Sequence, residues 1–122
     1  MFKRYLVLSY VFVALLCTTN LVCAKQYLVT QQNKSFVMDK GPIEKLEVNQ
    51  GDVVEFRNED PFFHNIFSLS DLKTFDLGSY PKGQSKTVTF SKAGKIEVEC
   101  AIHPQMFLEI TVIYFGFLLT TL

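Results

Sequence analysis

Cys100-Ala101-Ile102-His103-Pro104-Gln105-Met106 sets a thiol, an imidazole and a thioether within seven residues. The runs on either side of it alternate. Ahead of the loop, Ile96, Val98 and Cys100 fall on one face of an extended segment, with Glu97 and Glu99 on the other. Beyond it, Leu108, Ile110 and Val112 share a face opposite Glu109 and Thr111, and carrying that parity backward puts Met106 on the apolar face. Cys100 and Met106 therefore point inward from two strand ends. The residues between them, 101–105, present His103 at one end of whatever the strands build.

The same period recurs through the chain. Short runs rich in β-branched and aromatic residues lie at 26–31, 35–38, 44–48, 52–58, 65–68, 85–90, 95–100 and 107–113, and no long helical period interrupts them. Asn49-Gln50-Gly51-Asp52, Pro81-Lys82-Gly83 and Ala93-Gly94 supply turn chemistry between the runs. The pattern predicts an all-β fold, an antiparallel Greek-key β-sandwich of eight strands. Repeats, linkers and low-complexity segments are absent from the sequence. With 12 Phe and no Trp, phenylalanine must supply most of the aromatic core.

The first 24 residues read differently. Lys3 and Arg4 precede an uncharged run and then Val22-Cys23-Ala24, the layout of a secretory signal peptide cleaved after Ala24. A spanning anchor needs ~20 apolar residues, more than this run offers. Neither Cys17 nor Cys23 follows the small residue of a lipoprotein signal. Export thus removes Cys17 and Cys23 and leaves Cys100 as the sole thiol of a mature chain starting at Lys25. No internal disulfide can form, and a single thiol in an oxidising compartment calls for burial or a metal. The expected location is outside the cytoplasm, the periplasm for a Gram-negative source. Loss of Lys3 and Arg4 leaves ten basic against twelve acidic residues. That balance offers no basic stripe for nucleic acid.

The chain has only two histidines, His64 and His103. With Cys100 and Met106 they make up the ligand set of a type 1 blue-copper site, His₂Cys in a plane with a weak axial Met. Thiolate and thioether favour Cu(I) and imidazole suits Cu(II), so one copper ion could cycle between both states. Phe62, Phe63 and Ile66 are expected to surround it with apolar groups. Other readings of the same residues are weaker. A Cys-His hydrolase would lack an orienting acid and an oxyanion loop, and a thioether is a poor zinc ligand. A metal-free interaction sandwich, or a copper-handling protein without electron transfer, uses the same sequence features. The acids Glu59, Asp60, Glu97 and Glu99 read as a solvated face.

Two segments carry a resemblance to a known family. Gly51-Asp52-Val53-Val54-Glu55-Phe56-Arg57-Asn58 with Phe63-His64-Asn65-Ile66-Phe67-Ser68, and Gly94 through Cys100, resemble the plastocyanin-like cupredoxins. The Cys-x₂-His-x₂-Met spacing, with Pro104 directly after His103, is similar to amicyanin-type loops. The resemblance implies a copper set of His64, Cys100, His103 and Met106, and no catalytic residues. It also implies that Asn65 ties the two ligand segments together, and that electrons pass through the edge of His103 beside Pro104 and Phe63. Partners would be a transient redox donor and acceptor meeting a monomer. Ala101 stands where such loops often carry Thr, which removes a hydroxyl partner for Asn65, and Ile102 replaces a frequent Pro. A cupredoxin domain would occupy 25–113. The apolar tail 114–122 is left over, too short to span a membrane, and a peripheral membrane contact is one use for it.

Overall fold

The computed structural model describes residues 24–114. The expected leader, all but Ala24, and the tail beyond Tyr114 lie outside the described residues. Ten strands and no helix occur among them: β1 (Gln26–Gln32), β2 (Ser35–Met38), β3 (Gly41–Pro42), β4 (Lys45–Asn49), β5 (Asp52–Asn58), β6 (His64–Ser68), β7 (Phe75–Tyr80), β8 (Ser85–Phe90), β9 (Gly94–Cys100) and β10 (Phe107–Ile113). They form two five-stranded sheets, ordered β3-β2-β1-β5-β8 and β4-β10-β9-β6-β7.

Alternation decides which residues enter the space between the sheets. Ile96, Val98 and Cys100 of β9 are buried, as are Leu108, Ile110 and Val112 of β10, while Glu97 faces solvent. From the other sheet, Val29 of β1, Val54 and Phe56 of β5, and Val88 and Phe90 of β8 meet them. Phenylalanine supplies the aromatic core as expected: Phe36, Phe56, Phe75 and Phe90 form a chain of ring contacts 6.2–6.5 Å apart. Such edge and tilted pairs add ~0.5–1.5 kcal/mol each beyond the area they bury.

Each of the eight expected strands has a counterpart, and two further strands accompany them. β3 is only two residues long, and β7 carries Gly78 in the left-handed region at φ +69°, with its N–H donating to the Asp76 carboxylate. Locally that reads as a turn, and the β6–β7 pairing slips register opposite it, between Asn65 and Phe67. Within the expected sandwich, two strand pairs depart from the antiparallel pattern. β1 runs parallel to β5 and β4 parallel to β10. In both pairs the chain crosses between sheets before returning, which side-chain alternation does not record.

A buried polar tie joins the sheets next to the loop end. Tyr80 of β7 donates its hydroxyl to the Phe56 carbonyl (2.9 Å) and accepts from Gln31 Nε2 (2.8 Å). Desolvation, with a smaller contribution from Cys100, pushes the phenol up to about 12 despite the opposing Gln31 hydrogen bond. It is therefore a fixed neutral donor.

Candidate metal centre

Three loops converge where β5, β6, β9 and the β1–β2 hairpin end. Cys100 is the last residue of β9 and His64 the first of β6, and both are buried. The pairing of Ile66 with Cys100 sets β6 against β9, and the Ala101 N–H extends it by donating to the Asn65 carbonyl at 2.9 Å. The loop then turns back on itself. The His103 carbonyl accepts the Met106 N–H at 2.9 Å, which holds His103 between the two inward-facing sulfur residues. Met106 is buried among the core side chains, as parity predicts.

The donor atoms of three of these residues form a small triangle. Cys100 Sγ lies 3.6 Å from His64 Nδ1 and 3.6 Å from His103 Nδ1, and the two nitrogens are 3.1 Å apart. The circumcentre of that triangle lies about 2.0 Å from each atom, and a point ~0.7 Å off its plane keeps ~2.0 Å to both nitrogens and reaches ~2.3 Å from the sulfur, the usual metal–imidazole and metal–thiolate lengths. His64, Cys100 and His103 also form the cluster of potential ligands found among the described residues.

Protonation at His64 is set from behind. Its Nε2 lies 2.7 Å from Asp60 Oδ2, and a carboxylate can only accept, so the ring carries its proton there. With one proton on the ring, held at Nε2, Nδ1 turns a lone pair toward Cys100 and His103. At His103, burial, followed by the nearby charges of His64 and Lys34, holds the imidazole below its ordinary titration range, against a smaller opposing pull from Asp60. Two ring nitrogens and a sulfur thus face one point that a cation could occupy. This donor set fits a copper ion.

Asp60 is the residue that sequence reasoning missed. Assigned to a solvated acidic face, it is instead buried, and its carboxylate also accepts the backbone N–H of Asn33 (2.7 Å) and of Lys34 (3.1 Å). Asn33 and Lys34 form the β1–β2 turn at φ +53° and +56°, a region costly for a side chain such as lysine. Desolvation would raise the Asp60 pKa, but the His64 hydrogen bond and the two turn amides outweigh it, and the net shift is downward. The one available signal was its place four residues before His64, which alternation cannot interpret inside a loop.

Solved structures of related shape are cupredoxin proteins. A Cu(I) amicyanin variant aligns at TM-score 0.64 and 21% identity, over 75% of this chain and 86% of that one. A reduced amicyanin variant gives TM-score 0.64 at 22% identity over the same shares. A copper-containing nitrite reductase from Thermus scotoductus SA-01 aligns at TM-score 0.64 and 26% identity, over 79% of this chain and 24% of that longer one. Neither a protein-family model nor a curated protein sequence matches the chain. The chain has a cupredoxin fold, amicyanin-like.

Within this cupredoxin frame the remaining expected residues fall as follows. Phe62, rather than Phe63, contacts the histidines: its ring lies 5.3 Å from that of His64 and 5.4 Å from that of His103, with Lys34 Nζ over it at 5.6 Å. Phe63, expected beside the metal, is 54% exposed. Ile66 is fully buried beside Cys100. Pro104 and Ala101 are exposed, and His103 is partly so. Asn65 joins the ligand segments through its backbone carbonyl, whereas its side-chain oxygen is buried and unpartnered.

Proposed function

We propose that this cupredoxin is an exported, monomeric, non-enzymatic blue-copper protein that passes single electrons between a transient donor and a transient acceptor. The observation that carries the reading is the triangle of His64 Nδ1, Cys100 Sγ and His103 Nδ1 around one point at bonding distance. Copper, when bound, supplies a one-electron couple between Cu(I) and Cu(II).

The residues do the rest. Cys100 provides the thiolate, and its burial keeps that sulfur from solvent. His64 is locked by Asp60 with its lone pair forward. Met106, buried at the end of the ligand loop, would offer the ion its thioether. The donors Cys100 and His64 are closed off from solvent, which favours electron transfer over turnover of a substrate. His103 alone of the set reaches the surface, and exposed Phe63, Ile102 and Pro104 lie on the segments around it. A small apolar contact there suits partners that must dissociate after each transfer.

Redox cycling tests the proposal. The copper-loaded protein should lose its visible band on addition of one electron equivalent and regain it on oxidation through repeated cycles. Release of the ion on reduction, or a band that fails to return, would instead support copper handling without electron transfer.

A further inference from the structure

Asp52, at the start of β5 and far in sequence from the ligands, is a buried carboxylate, 3% exposed, to which no side-chain cation among the described residues is paired. It is met by two backbone amides and by the Tyr27 hydroxyl. Asn49 N–H donates to Oδ2 at 2.8 Å, and Lys25 N donates to Oδ1 at 2.9 Å. The Lys25 carbonyl accepts the Val53 N–H at 2.9 Å, so Lys25 is fixed on both sides just before β1 begins its parallel pairing with β5. Its own ammonium group is elsewhere, over the Tyr27 ring at 4.8 Å. The Tyr27 hydroxyl is raised by burial, then by the charge of Asp52 and its hydrogen bond to that carboxylate, and last by the charge of Glu47. Ala24 and Lys25 are both exposed.

We propose that the Ala24–Lys25 peptide bond is a processing site and that its hydrolysis creates a structural ion pair between the new α-ammonium of Lys25 and Asp52. Water adds across the amide: Ala24 leaves as a carboxylate, and Lys25 keeps the nitrogen as an amine that takes up a proton near neutral pH. A neutral donor on a buried carboxylate becomes a charged one without any atom having to move. The existing bond is already charge-assisted through the carboxylate, and a positive donor adds a Coulombic attraction that the low-dielectric site strengthens. Maturation would thereby clamp the first strand to the β4–β5 turn. The inference uses the signal-peptide reading of the leader and is independent of the copper reading.

The test begins with the mass of the protein recovered from the export compartment after expression of the full chain. A start at Lys25 is expected, and any other start overturns the processing site. Chains released from a fusion to begin at Lys25 or at Ala24 are then compared by urea unfolding, each with Asp52 and with Asp52→Asn. The Lys25 start should raise the folding equilibrium constant by about fivefold over the Ala24 start, and the gain should vanish in Asp52→Asn. Equal stability of the two starts, or a gain that persists without Asp52, would overturn the ion pair. Should Asp52→Asn fail to fold, the titration of the Lys25 α-amine by NMR decides. It should lie above the ordinary α-amino range, and an ordinary value would overturn the proposal.

Discussion

Asp60 satisfies three donors with one carboxylate: the His64 ring and the two amides of a left-handed turn. Partners of this kind behind a metal-ligating histidine are worth ~10–100-fold in metal affinity. Asp60→Asn should weaken copper binding by that order in a chelator competition, while an unchanged affinity would show that His64 needs no support. The downward pKa shift has a second consequence. A carboxylate whose folded pKa is depressed contributes stability that is present above its unfolded value and is lost as pH falls through the folded one. Wild-type stability should therefore drop steeply below pH ~4, and Asp60→Asn should flatten that acid limb. The Asn65 side-chain oxygen gives a converse test. Ala101→Thr offers it a hydroxyl, and satisfying a buried acceptor should add ~0.5–1.5 kcal/mol in denaturant unfolding. No gain would mean that the oxygen lies beyond reach of residue 101.

At the scale of elements, Tyr80 ties β7 to the opposite sheet beside the ligand segments. Tyr80→Phe leaves the Gln31 amide and the Phe56 carbonyl without that hydroxyl and should cost ~1–3 kcal/mol. The raised phenol adds a pH signature. Its stabilisation is complete below the unfolded tyrosine value of ~10 and is lost as pH rises through the folded value of about 12. Unfolding measured at pH 8 and pH 11 should show a fall in the wild type that is smaller in the Phe variant, where only Tyr27 of the two raised phenols remains. The elements also mark what the sequence discloses. Strict alternation in 95–100 and 107–113 is enough to orient Cys100 and Met106, because both strands are half-buried. Alternation has no hold on β7, where Gly78 supports a bulge, nor on the 59–63 connection, where Asp60 and Phe62 acquire their roles from neighbours distant in sequence.

Among the described residues, the ligand end is one surface with exposed apolar side chains. Phe63, Ile102 and Phe107 are partly or largely exposed there, around the partly exposed His103. Phe63→Glu should slow electron self-exchange between reduced and oxidised copies by about tenfold, through lost apolar contact and repulsion between like charges. The visible spectrum should not change. An unaltered rate would move the exit path away from His103. The two-sheet frame, the core and the proposed ligand set were legible in the sequence because all three rest on period and spacing. The two parallel pairings and the buried acid were not, because they depend on where the chain crosses over.

Titration of Cu(II) into the metal-free protein and into Cys100→Ala tests the central claim most directly. One equivalent per chain should produce an intense thiolate-to-copper band in the wild type and none in Cys100→Ala, with both proteins remaining folded. A wild type that stays colourless, or a band that survives without Cys100, would contradict the account.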